Sequence, residues 1–235
     1  MYKGIYIALS GAVLKDTQME VITQNLANAA TVGYKKDNIA FKDYIIPQDM
    51  VNSQPDGTAM SSISGLKTDF SNGNLIKTGN PLDIAIDGDG FIALEGNRYT
   101  RRGDLKKDSE GYLVSYNGIK VLGDNGPIRL PDGMVQINDK GNISVNGIQI
   151  GSIKIINFQD KEDLKKTGGS IFVTNNEGIK SKTILKQGYV ETSNVDVVKE
   201  MVHMLAALRE FEAYQKAIQT LEDAVSKINN EIGRI

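Results

Sequence analysis

Hydrophobic residues recur at helical spacing at both ends of the chain. Between the ends the pattern changes to short apolar runs cut by turns. Phe211, Ile218, Val225 and Ile232 lie seven residues apart, and Tyr214, Leu221, Ile228 and Ile235 repeat the same step three residues later. This 3-4 alternation is the seam of a long helix that needs another helix to cover it. The first segment has a matching stripe: Ile5, Ala12, Met19 and Leu26 are seven apart, with Ala8 and Ile22 at complementary positions and Leu9 adjacent. An amphipathic helix of roughly 26 residues, about 39 Å long, is predicted over 4–30. Asn25, Asn28 and Gly33 mark its fraying end, with Gly33 free to turn left-handed. The final helix is predicted to start near Asn194, where Ser193 and Asp196 have capping-box spacing. It runs without Gly or Pro to about 232, roughly 38 residues or about 57 Å.

Residues 34–80 are less regular. A short strand is predicted at 39–46, followed by a polar loop over 53–64. From 81 to 188 the pattern is β-like. Ile84 and Ile86 on one side of Asp87-Gly88-Asp89-Gly90, and Phe91, Ile92 and Leu94 on the other, predict a hairpin. Turn signals then arrive at close intervals, among them Asn117-Gly118, Asp124-Asn125-Gly126, Asp139-Lys140-Gly141 and Asn146-Gly147. That cadence leaves room for one short strand each and predicts an all-β meander or small barrel. Ile153, Ile155, Ile156 and Phe158 predict another strand, and 160–166 one helical turn. The expected fold class is α+β: long N- and C-terminal helices paired as a coiled-coil stalk, with a central all-β domain. The expected segments are 1–36 (helix), 37–80 (connector), 81–188 (β-rich domain) and 189–235 (helix).

Composition narrows the functional classes. Net charge is −2 and no basic run is present, so nucleic acid and anionic membrane are not expected partners. Lys161, Lys165 and Lys166 are interleaved with acids and read as a solvated turn or helix face. The chain contains no cysteine, which excludes disulfides, thiolate metal sites and cysteine nucleophiles. No apolar stretch reaches the ~18 residues of a bilayer-spanning helix. The N-terminus lacks the hydrophobic region and cleavage site of a signal peptide.

Candidate chemistry is sparse. Asp87-x-Asp89-Gly90 hints at a calcium loop, but Phe91 and Arg98 stand where an EF-hand needs oxygen ligands. His203 is the single histidine, too few for a zinc site in a cysteine-free chain. No phosphate-binding or nucleophile-elbow motif occurs. Arg101-Arg102 reads as a solvated or intersubunit ion pair rather than a phosphate site. No catalytic, metal or cofactor residues are assigned. An enzymic alternative, a cell-wall hydrolase using Asp83 or Glu95, would leave the heptads without a use.

Three segments carry a resemblance. They are Ser10-Gly11-Ala12 with Val21 to Asn28 and Thr31-Val32-Gly33-Tyr34-Lys35; Phe70 to Leu75 with Thr78 to Phe91, Tyr99-Thr100-Arg101-Arg102-Gly103 and Gly111 to Val114; and Gly188 to Val202. Together they resemble the axial proteins of the bacterial flagellum, the rod and hook family. Ile5 to Ala12 is more similar to the proximal-rod subfamily, with a distal-rod or hook-type subunit as the alternative. The resemblance implies a structural subunit of the basal-body rod, exported unfolded by the flagellar type III apparatus without a cleaved signal. It implies polymerisation with copies of itself and other rod proteins into a periplasm-spanning drive shaft, without direct membrane insertion. The expected assembly interface is Ile5, Leu9, Ala12, Met19, Ile22 and Leu26 from the first helix. From the last it is Val198, Met201, Leu205, Leu208, Phe211, Ile218, Leu221, Val225 and Ile228.

Overall fold

A computed structural model describes residues 2–45 and 59–232. They form two compact units, one of them holding both long helices and a two-stranded sheet, the other holding residues 28–36 and 68–195.

In the first unit, helix α1 spans Tyr2–Ala27 and helix α2 spans Val197–Ile232. The stripes follow the predicted spacing along most of both helices, but Ile228 is exposed, and the side chains of Ile232 and Ile235 lie outside the described residues. The inner stripe of α1 contains Ile5, Ala8, Ala12, Lys15, Met19, Ile22 and Leu26, all buried or half-buried. That of α2 contains Glu200, Met204, Ala207, Phe211, Tyr214, Ile218, Leu221 and Val225. The two helices pack antiparallel: a Cβ on Gly4 would sit 3.6 Å from Leu221, one on Gly11 would sit 2.5 Å from the Tyr214 ring, and Lys15 pairs with Glu210. Each step forward along α1 is thus matched by a step back along α2.

Both helix ends differ from expectation. Asn25 is not part of a fraying end. It is buried in the last turn of α1, where its amide donates to the Asp37 carbonyl (2.9 Å) and accepts from the Asp37 N–H (3.0 Å). An amide side chain presents the same donor and acceptor as a peptide group, so it pairs with the incoming strand as a neighbouring strand would. At α2, the cap is Asp196 rather than Ser193. Its carboxylate accepts from the N–H groups of Val198 and Lys199, while the Ser193 hydroxyl accepts from Val195 N–H. The strand expected at 39–46 is longer, Asp37–Ile45, and pairs with Ala59–Thr68. The polar loop expected over 53–64 therefore gives way to a strand from Ala59, and its earlier part lies outside the described residues.

The second unit is all-β apart from turns. Its largest sheet has six antiparallel strands in the order Lys165–Gly168, Ile171–Val173, Arg98–Thr100, Phe91–Leu94, Ile155–Asn157, Ile179–Lys180. This is no meander, because spatial neighbours come from distant parts of the chain. The hairpin expected around Asp87–Gly90 is also absent: Ile84–Asp87 pairs with Ile184–Gln187, whereas Phe91–Leu94 joins the large sheet. The one helical turn expected at 160–166 is a single hydrogen-bonded turn, with Leu164 N–H donating to the Lys161 carbonyl (3.2 Å), leading into the strand Lys165–Gly168. The turn glycines do fall where expected. Asn146-Gly147, with φ of 51° and 82°, makes the two-residue turn that pairs Val145 with Ile148.

Phe91–Leu94 divides two cores. Ile92 and Leu94 face an aliphatic cluster with Ile84, Leu113, Val121 and Ile143. Phe91 and Ala93 face an aromatic cluster with Tyr99, Phe158 and Phe172, and the Phe91 and Phe172 rings lie 5.6 Å apart. Burial on both faces explains why this strand shows no polar alternation.

Candidate functional site

The structure divides the expected interface residues into two sets. Ile5, Ala12, Met19, Ile22 and Leu26, with Phe211, Ile218, Leu221 and Val225, lie along the inner stripes. Leu9, Val198, Met201, Leu205 and Leu208 do not: they are exposed, Leu205 to 58%. Ile228 is also exposed, near the end of α2. Tyr6, Val13 and Val202 join this exposed set and were missed, although each lies within a turn of a residue that was chosen. Exposed aliphatic side chains at regular helical spacing make an unpartnered ridge, which in water favours association. His203 is exposed beside it, and Met204 lies on the inner stripe.

Lys15 occupies an inner-stripe position where an apolar residue is expected. Its stem lies in the seam while its ammonium reaches Glu210 and the Gln18 side-chain oxygen (3.2 Å). A polar group in such a seam specifies register, because any slip would bury it without its partner.

The second site is a buried ion cluster that joins the three signature segments. Glu191 accepts from Lys35 Nζ at 2.7 Å and from Arg101 Nε at 2.5 Å, and none of the three side chains is more than 3% exposed. The same carboxylate accepts the Gly73 N–H at 2.8 Å. The rest of the Arg101 guanidinium is ringed by carbonyls, with Gly90 (2.6 Å), Gly88 (2.6 Å) and Ile86 (2.9 Å) accepting, and Asn72 Oδ1 at 3.1 Å. The Asp87-Gly88-Asp89-Gly90 loop, whose sequence hinted at a metal, therefore encloses a cation supplied by the chain itself. The Asp89 carboxylate points instead to Lys161 at 2.6 Å, which holds it below the usual carboxylate range. Lys35 Nζ also donates to the Ser71 carbonyl (2.6 Å). Burial pushes the Lys35 ammonium below its ordinary value, although Glu191 pulls the other way.

Backbone contacts complete this cluster. Gly33 N–H donates to the Glu191 carbonyl (2.7 Å), and Asn194 accepts from Lys36 N–H (2.8 Å) while donating to the Asp69 carbonyl (2.8 Å). Gly33 has φ of 63°, and a Cβ there would come within 2.7 Å of the Arg101–Arg102 backbone. Only glycine fits.

Two expectations about charge are thereby corrected. Arg101 is neither solvated nor aimed at a neighbour but is fully engaged within its own unit; Arg102 pairs with Asp104 and stacks 3.7 Å from the Tyr116 ring. Lys166 is not on a solvated turn: its ammonium donates to the Lys35 carbonyl (2.6 Å) and lies 3.9 Å from the Tyr34 ring. No local pattern signals these contacts. Their one trace in the sequence is that Lys35, Arg101 and Glu191 all stand inside the signature segments.

The two acids weighed as catalysts do not come together in one cleft among the described residues. Asp83 is buried, with its carboxylate accepting from Thr78 Oγ1 (2.6 Å) and Asn80 Nδ2 (2.9 Å), so it organises a turn. Glu95 is exposed in a turn. Among the described residues no group of three His, Cys, Asp or Glu could hold a metal ion, and no helix is long and apolar enough to cross a membrane.

Comparison with known proteins matches three family profiles in chain order. They are the flagella basal body rod protein (residues 5–35), the flagellar hook protein FlgE/F/G D1 domain (85–145) and the flagellar basal body rod FlgEFG protein C-terminal region (186–231). The flagellar basal-body rod protein FlgG of Bacillus subtilis is 31% identical over 98% of this chain and 99% of its own length. FlgF of Mesorhizobium japonicum is 33% identical over 90% of both chains. The flagellar hook-basal body complex protein FlhO of Bacillus subtilis is 30% identical over the full length of both.

Proposed function

The chain belongs to the flagellar basal-body rod family and is a structural protein of the rod, and from that premise we propose how it assembles. The terminal helices pair as a coiled coil within each subunit. The ridge they leave outside, Leu9 on α1 and Val198, Met201, Leu205 and Leu208 on α2, is the surface that packs against neighbouring subunits. Repetition of a contact that does not close on itself builds a helical polymer. That polymer is the periplasm-spanning drive shaft that carries torque to the hook. The observation that carries this reading is the exposed apolar ridge beside an already satisfied inner stripe. The inner stripe accounts for folding, and the outer ridge has no use in an isolated subunit.

Passage through the flagellar type III export apparatus completes the reading. The position within the rod is proximal, on the resemblance of residues 5–12. Labelling the protein in purified basal bodies tests this, and a distal location would overturn the position while leaving the rod role intact.

Leu205→Asp tests the ridge. Leu205 is exposed, so the variant should fold with the same helix content and the same urea midpoint as the parent. It should fail to enter basal bodies, and the cells should not swim. Normal incorporation and swimming would defeat the assigned role.

A further inference from the structure

Four Asn-Gly pairs occur in the chain: Asn72-Gly73, Asn117-Gly118, Asn125-Gly126 and Asn146-Gly147. Such a pair can react with itself. No Cβ shields the glycine nitrogen, so it can reach the carbon of the preceding side-chain amide. All four asparagines are exposed, so exposure does not rank them. Their restraints do.

Three are held. Asn72 Oδ1 accepts from Arg101 (3.1 Å), Gly73 N–H donates to Glu191 (2.8 Å), and a Cβ on Gly73 would collide with the Thr192 carbonyl. Asn146 is tied through both ends of its amide: Oδ1 accepts from Met134 N–H (3.0 Å), and Nδ2 reaches the Asp132 carbonyl (3.5 Å). Its own N–H donates to the Met134 carbonyl (3.1 Å). Asn117 Nδ2 reaches the Gly169 carbonyl (3.4 Å), and Gly118 N–H donates to the Ser115 carbonyl (2.9 Å). Asn125 differs. Its side chain makes no hydrogen bond among the described residues. A Cβ on Gly126 would meet nothing within 4 Å. Its turn is closed by just two residue pairs, Gly126 with Gly123 and Pro127 with Leu122. Proline has no N–H to add to that ladder, and so short a ladder opens locally at little cost.

We propose that Asn125 is a site of spontaneous deamidation, the fastest of the four. The Gly126 nitrogen bonds to Asn125 Cγ as the Cγ–Nδ2 bond breaks. The glycine N–H proton leaves with Nδ2 as ammonia, and a cyclic imide remains. Water then cleaves one of the two imide C–N bonds. Cleavage at the side-chain carbonyl gives aspartate, and cleavage at the backbone carbonyl gives isoaspartate. The net change consumes a water and releases an ammonia, so no enzyme is needed and the extent of conversion records the time since synthesis. Either product sets a new carboxylate beside Asp124, which already accepts from Lys180 (2.8 Å) and from Ser152 Oγ (2.5 Å). Isoaspartate also adds a methylene to the backbone of the turn, which displaces Gly126 from Gly123.

Peptide mapping by mass spectrometry tests this on the purified full-length protein, incubated at pH 8 both folded and in guanidinium chloride. In the folded protein Asn125 should lose its amide severalfold faster than Asn72, Asn117 or Asn146. In denaturant the four rates should converge, because the restraints are gone. Conversion at Asn125 no faster than at the others in the folded protein would overturn the assignment. So would an undiminished lead for Asn125 in denaturant, which would make the rate a property of the local sequence alone. Asn125→Gln should keep the parent's circular dichroism and remove most of the isoaspartate that enzymatic carboxyl methylation detects in the folded parent. Persistence of that signal would place the reaction elsewhere.

Discussion

The Glu191 carboxylate lies 2.7 Å from the Lys35 ammonium with both side chains 1% exposed, and the same carboxylate also binds Arg101. One anion therefore serves two buried cations, and the carbonyls of Ile86, Gly88, Gly90 and Ser71, with the Asn72 side-chain oxygen, receive further N–H groups. The three partners are not equivalent. Removing the shared anion leaves two buried positive charges, while removing Lys35 leaves a matched Arg101–Glu191 pair.

Glu191→Gln should lower unfolding stability by about 3–5 kcal/mol, the usual cost of breaking a buried pair. Lys35→Met, which keeps the stem and deletes the surplus charge, should cost clearly less. Urea denaturation of both variants checks the order. Equal losses would show that the cluster is not centred on Glu191.

Gly11→Ala should weaken the helix pair despite Ala's better helix propensity, worth ~1 kcal/mol. The new methyl would sit 2.5 Å from the Tyr214 ring, and overpacking of this kind costs about 1–3 kcal/mol. Adding Tyr214→Leu should recover most of the loss. Thermal unfolding followed by circular dichroism measures both, and no recovery in the double variant would mean the clash lies elsewhere.

Gly33→Ala should destabilise the second unit by more than the ~1 kcal/mol of a simple left-handed penalty, because its Cβ would also meet the Arg101–Arg102 backbone. Hydrogen exchange should show lost protection at the Gly33 amide, whose acceptor is the Glu191 carbonyl. Unchanged protection would contradict the close approach.

Acid should loosen the Asp89 loop. Lys161 holds the Asp89 carboxyl below its ordinary value of 3.8. The folded state therefore binds that proton less readily than the unfolded chain. The pair's contribution is present above about pH 4 and is lost as the pH falls through the folded value. Because the pair is largely exposed, the effect is small, within the ~0–1 kcal/mol of a surface ion pair. Urea midpoints at pH 5 and pH 3 should fall less steeply in Asp89→Asn than in the parent. Identical slopes would remove the pair from the account.

Much of the helical part is legible from spacing alone. Phe211, Tyr214, Ile218 and Leu221 lie on the inner stripe of α2 as their 3-4 alternation implies, because helical periodicity is local. The turn at Asn146-Gly147 is legible for the same reason. Sheet partners are not: Ile84–Asp87 reads as half of a hairpin with Phe91–Leu94, yet pairs with Ile184–Gln187 about a hundred residues away. Local signals place strands and turns, but register with a distant strand depends on what the whole core buries.

By itself the sequence determined two long amphipathic helices, a turn-rich β segment between them and the absence of cysteine chemistry, since each follows from composition or short-range periodicity. Tertiary structure alone decided that Arg101, Lys35 and Glu191 share one buried cluster, and that Leu205 faces water while Phe211 lies on the inner stripe. A charge looks the same in a sequence whether water or a distant partner solvates it, and an apolar ridge gives no sign of which neighbour covers it. Both are settled only when remote segments meet.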